Sequence, residues 1–187
     1  MLNLFRSSKR AKSRETIERL YGVIVAQSRR AEFYTDFGVP DTLEGRFEMV
    51  VLHTVLVCHR LKDGDDTARA MSQEIFDAFA ADMDATMREL GVGDLTVPKK
   101  MKKVGEAFYG RAAAYDTALA ASGNDMLALA LARNILGTDG AAPAAKPFAA
   151  YVRSAAERLA DTPFETFARG VLALPNPEYG PAPEAGQ

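Results

Sequence analysis

Four aspartates, an arginine and a glutamate crowd the stretch FDAFAADMDATMRELGVGD, residues 76–94, three of the aspartates ahead of the closing GVGD. Asp77, Asp82 and Asp84 are residue types that hold hard cations or act as general acid and base. Their spacing argues against both. On a helix Asp77 and Asp84 share a face and Asp82 points away, so no oxygen cage forms. His53 and His59 are six residues apart. A helix turns their rings about 120° from each other, unlike the i, i+4 pair that shares a metal. Cys58 is next to His59 in sequence but on a different face, and reads as a core thiol. No phosphate-binding loop, no GxGxxG after a strand and no GxSxG occurs, and GVGD reads as a helix stop. The expectation is a protein that is not an enzyme and holds no cofactor or metal. A small hydrolase using the aspartates ranks last, because no nucleophile, base and orienter can be named.

The same charges make better sense as alignment and docking groups. Arg46, His53 and Arg60 recur every seven residues and form one stripe along a helix, and Asp77 and Asp84 form another on the next. Folding the two into an antiparallel hairpin sets His53 level with Asp77 and Arg46 level with Asp84. The pattern predicts a polar seam, and a buried pair there would raise the pKa of His53. The alternative is two independent solvated stripes. Asp84 and Arg88 are also i, i+4 partners. Further on, Lys99, Lys100, Lys102 and Lys103 cluster around Met101 in one helical turn. Four cations at a helix start oppose the helix dipole, which hints at an anionic partner, either acidic protein or RNA phosphate. The plain alternative is a solvated patch. Gly105 and Gly110 would admit a close helix neighbour or mark a groove.

The elements that must position these groups are helical throughout. Ser13 is a candidate cap for a helix buried through Ile17, Leu20, Tyr21 and Ile24, ending near FYTDFG. Asp41 with Glu44 reads as the capping box of a second helix, about Thr42 to Lys62, apolar over most of its circumference and therefore central. A third spans about Thr67 to Leu90 and a fourth starts at Thr96. A short apolar helix follows Asn124. Another begins at PFAAY, and a last one opens on Thr162, Pro163 and Glu165 as a capping box. With no strand pattern, the fold class is all-α, a single-domain bundle of about seven helices.

Length and composition agree. A chain of 187 residues at 48% hydrophobic fits one core. Residues 1–30 hold eight basic and two acidic side chains, while the whole chain carries −2. A basic arm of that kind meets RNA, lipid headgroups or acidic protein, or is simply solvated. One cysteine excludes an internal disulfide and fits a reducing compartment. No apolar run reaches the roughly 20 residues of a spanning helix. The expected division is a flexible basic arm over 1–12, a helical domain over 13–174 and a disordered Pro/Gly-rich tail over 175–187.

The order FYTDFGVPDTLEGRFE, then LHTVL, then DMDATMRELGVGD, then KKMKKVGEAFYGR resembles the ubiquinol–cytochrome c chaperone family. The likeness covers roughly Phe33 to Leu119, and the short N-terminal extension is similar to that of bacterial members. It implies an assembly chaperone for the cytochrome bc1 complex (respiratory complex III), binding newly made cytochrome b as client. It also implies a small partner protein and the ribosome near its exit tunnel. On the same terms Arg46, His53, Asp77, Asp82, Asp84, Arg88, Lys99, Lys100, Phe108, Tyr109 and Arg111 would belong to the fold or a binding surface. Lys102 and Lys103 join them through the lysine cluster. Met83, Met87 and Met101 are candidates for an adaptable client groove. The location expected is cytoplasmic, with peripheral contact to anionic membrane. The alternative is a ribosome- or RNA-binding module without client contact.

Overall fold

The computed structural model describes residues 2–139 and 142–179, with side chains from residue 11 onward. Among the described residues there are eight helical segments and no strand. They are α1 (Leu2–Ser28), α2 (Ala31–Thr35), α3 (Leu43–Lys62), α4 (Asp66–Glu89), α5 (Val97–Ala120), α6 (Asp125–Asn134), α7 (Ala145–Ala160) and α8 (Phe164–Ala168). The all-α, single-domain expectation holds, and one continuous apolar core joins the segments.

The centre is α3. Every residue from Glu48 to Val57 is buried, and the helix packs on α1, α4, α5 and α7. Apolar side chains around its whole circumference require neighbours on every side. The remaining long helices are one-faced. α4 buries Ile75 and Phe79, α5 Val104, Phe108 and Tyr115, and α7 Phe148, Val152 and Leu159. Residues 63–65 fold α3 and α4 into the expected antiparallel hairpin. Asp65 caps α4 by accepting from the Ala68 amide at 2.8 Å. Two bonds across α1 and α4, Ser13 to Glu74 and Tyr21 to Asp82, keep the same offset of 61 residues. A constant offset means that α1 and α4 run side by side in the same direction.

Local signals near helix ends were less faithful. Ser13 lies inside α1 and donates to Glu74 instead of capping. α1 stops at Ser28, and a separate five-residue α2 carries the buried Phe33. The cap of α3 is Thr42, whose hydroxyl accepts from the Gly45 amide, while Asp41 is taken by Arg46 at 2.6 Å. The capping box at Thr162 does not form. Its hydroxyl donates to the Arg158 carbonyl and Pro163 stands at the cap of α8. Of the expected tail, residues 180–187 lie outside the described residues. Residues 171–179 run as irregular chain back along the bundle. The Pro175 carbonyl accepts from Gln27, and the Asn176 side chain accepts from Arg30.

Candidate binding surfaces

The predicted seam between α3 and α4 is absent, and the reason is angular. The level of the two helices is as expected, since Cys58 contacts the Ser72 carbonyl and Phe47 meets Phe79. The faces differ. His53 is 0% exposed and turns away from α4. Its Nδ1 lies 2.8 Å from the Met49 carbonyl oxygen, and its Nε2 lies 2.8 Å from the Tyr151 hydroxyl. A carbonyl only accepts, so Nδ1 carries the proton and Nε2 accepts from Tyr151. Gln27 donates to the same hydroxyl at 2.9 Å. Phe33 stands edge-on to both rings. Burial drives the His53 pKa down to about 4, opposed in part by its bond to Met49. The expectation of a raised pKa is therefore reversed, and His53 offers nothing to a partner on the surface.

The other stripe members are also occupied locally. Arg46 bonds Asp41, and Arg60 donates to the Leu159 and Thr162 carbonyls at 2.9 and 3.0 Å. Arg60 thereby closes the C-terminus of α7, whose last carbonyls have no partner within the helix. Asp77 accepts from Gln73, and Asp84 pairs with Arg88, which also bridges to Asp94. The Arg88 hydrogen bond holds the Asp84 carboxyl below its usual range. Asp82 crosses to α1 and accepts from Tyr21 at 2.8 Å. The three aspartates thus diverge. Among the described residues no group of three histidine, cysteine or acidic side chains is placed to hold a metal ion. Burial pushes the Cys58 thiol up to about 11, so this half-buried group, which borders the cleft between α3, α4 and α5, stays protonated.

Arg111 reaches from α5 to Glu48 on α3 with two parallel bonds of 2.8 and 3.0 Å. Glu48 is buried, and an unpaired carboxylate there would be costly. Glu48 escaped the sequence reading because it sits inside an apolar run and its partner is 63 residues away. Arg153 is a second such group. It fans over the carbonyls that end α5 and bonds Asn124 at 2.7 Å. Phe108 is buried against Phe76 and Phe79, and Tyr109 beside it is exposed. Gly105 and Gly110 face open space, so no other helix of this chain lies close against them. Met83, Met87 and Met101 are half-buried against the core. Lys99, Lys100, Lys102 and Lys103 are all exposed.

Several clefts are open among the described residues, one of about 320 Å³ bordered by Tyr34, Asp41 and Arg46. Another, of about 250 Å³, lies between α3, α4 and α5, floored by Phe76 and Phe108 and rimmed by His59, Lys62, Arg69 and Asp116. A larger one, of about 610 Å³, runs between α1 and α4. Its floor is small and apolar (Ile17, Gly22, Ala78 and Ala81), and its wall on the α4 side carries Glu74, Asp77 and Asp82.

In this all-helical bundle the charged groups cap helices, staple turns and rim open clefts. The chain belongs to the Ubiquinol-cytochrome C chaperone family, which residues 35–174 match. It is 28% identical over 118 residues to the "Ubiquinol-cytochrome-c reductase complex assembly factor 1" of Xenopus laevis. That match takes in 63% of this chain and 58% of the frog protein, so the chain spans little more than half the length of that relative. It also resembles the crystal structure of the Cbp3 homolog from Brucella abortus at 40% identity. The TM-score is 0.86, with 95% of this chain and 98% of that one covered. Among the described residues, no helix is long and apolar enough to cross a membrane.

Proposed function

We propose that this protein binds newly made cytochrome b and promotes its assembly into the ubiquinol–cytochrome c reductase, working in the cytoplasm against the inner membrane. Family membership and the frog assembly factor support the assembly role. The observation that carries client binding is the cleft between α1 and α4. Its small apolar floor accepts a helix, and its acidic wall selects that helix's charge. Polytopic membrane proteins concentrate lysine and arginine in their cytoplasmic loops and helix ends, the segments a soluble chaperone can reach. Carboxylates at Glu74, Asp77 and Asp82 are complementary to such segments.

The test is a strain lacking the protein, assayed for cytochrome b and complex III. Both are expected to fall and to return with the wild-type chain. Asp77→Lys/Asp82→Lys should restore neither, while circular dichroism of the purified variant stays helical. Normal cytochrome b in the deletion strain would refute the assembly role. Full rescue by the charge-reversed variant would instead remove the cleft from client binding.

A further inference from the structure

The turn between α4 and α5 holds two leucines out in solvent. Leu95 is 98% exposed and Leu90 61%. The turn that carries them is well ordered by its backbone. The Val92 amide donates to the Met87 carbonyl at 3.0 Å, and the Gly91 amide to the Arg88 carbonyl at 2.9 Å. With Gly91 at φ +79°, this is the paired closure of a Schellman terminus. Arg88 adds a side-chain staple from Asp84 on the helix to Asp94 on the turn. The amides of Thr96 and Val97 both return to the Gly93 carbonyl, at 2.8 and 3.2 Å. Lys99, Lys100, Lys102 and Lys103 follow at once on the first turns of α5, all exposed. Glu106 stands 3.8 Å from Lys102. The helix dipole disfavours cations there, so stability of the helix does not account for them.

We propose that this apex docks the protein onto an anionic membrane surface. Leu90 and Leu95 enter the boundary between headgroups and acyl chains, and the lysines meet the lipid phosphates. Interfacial binding needs this pairing of apolar area with cationic charge. The leucines decide between a bilayer and RNA. A nucleic acid would be held by the lysines through its phosphates, and leucine presents no aromatic face on which a base can stack. Docking of this kind requires no client, so its failure and that of client binding are separable on the purified chain.

The experiment is flotation of the full chain with phosphatidylcholine vesicles, with and without phosphatidylglycerol. Binding is expected with the anionic vesicles. Replacing the four lysines by glutamine should weaken it about fivefold per residue. Leu90→Ser/Leu95→Ser should weaken it about a hundredfold through lost apolar burial. Because the chain has no tryptophan, Leu95→Trp supplies a single reporter, whose emission should move to the blue on adding anionic vesicles. Three outcomes overturn the proposal: no vesicle binding, binding indifferent to the leucines, or a reporter that does not shift. A fourth is lysine-dependent binding to an RNA homopolymer that anionic vesicles fail to compete away.

Discussion

His53 ties stability to pH. In the fold its neutral ring makes two good hydrogen bonds, and burial holds the pKa near 4 against an ordinary 6.5. In the unfolded chain it protonates as pH drops below about 6.5. Unfolding then takes up a proton that the folded state refuses, so stability is full above about pH 6.5 and lost progressively toward pH 4. A depression of this size corresponds to about 3 kcal/mol across the window, of which about 2 kcal/mol is gone by pH 5. The expected result is a urea midpoint that falls between pH 7 and pH 5. In His53→Gln the midpoint should be lower at pH 7 yet nearly flat over the same range. An equal slope in both proteins would assign the pH dependence elsewhere. Sequence gave no route to this environment. The seven-residue stripe placed His53 at the right height, but its partners Ser28 and Tyr151 are 25 and 98 residues away. On a helix buried all round, periodicity does not say which neighbour a polar group faces.

Among the elements, the glycines separate what a pattern reveals from what packing decides. Long helices were legible because apolar spacing persists over many turns. Their ends were not, because Asp41 and Thr42 are both competent caps and a third residue, Arg46, settled the choice by bonding Asp41. Gly105 and Gly110 looked like sites of close approach, yet a Cβ at either meets nothing within 4 Å. Gly110→Ala and Gly105→Ala are therefore expected to stabilise α5 by about 0.5–1 kcal/mol each, through helix propensity alone. Gly45 is the opposite case at the start of α3. There a Cβ would sit 2.0 Å from the Pro40 carbonyl oxygen, which itself accepts from the Thr42 amide at 2.8 Å. Gly45→Ala must push the 40–42 turn off the helix and is expected to cost about 2–4 kcal/mol. Thermal melts followed by circular dichroism should move in opposite directions for the two substitutions. A loss of stability in Gly110→Ala would mean that its open face is covered by something else in solution.

At the scale of the whole molecule, residues 171–179 pack back against α1 and the segment around Phe37. Leu172 is buried, Leu174 packs on the core, and Tyr179 stands edge-on to Phe37. Gln27 on α1 divides its amide protons between the Pro175 carbonyl and the Tyr151 hydroxyl. The same hydroxyl serves His53, so the 171–179 segment is linked to the buried polar group through one side chain. Composition pointed to a tail from residue 175 because proline and glycine are poor at regular structure. Irregular chain can still pack, and no periodicity announces where it does. A chain ended at Gly170 loses the two leucines and the Pro175 acceptor. The expected loss is about 3 kcal/mol, mostly apolar burial, read as a lower urea midpoint. Gln27→Ala in the full chain should lose about 1 kcal/mol for its two hydrogen bonds. Combining the two changes should cost less than their sum, because truncation has already removed one of the bonds that Gln27 makes. A strictly additive result would show that Gln27 and the 171–179 segment stabilise the bundle independently. An unchanged midpoint on truncation would exclude that segment from the folded unit.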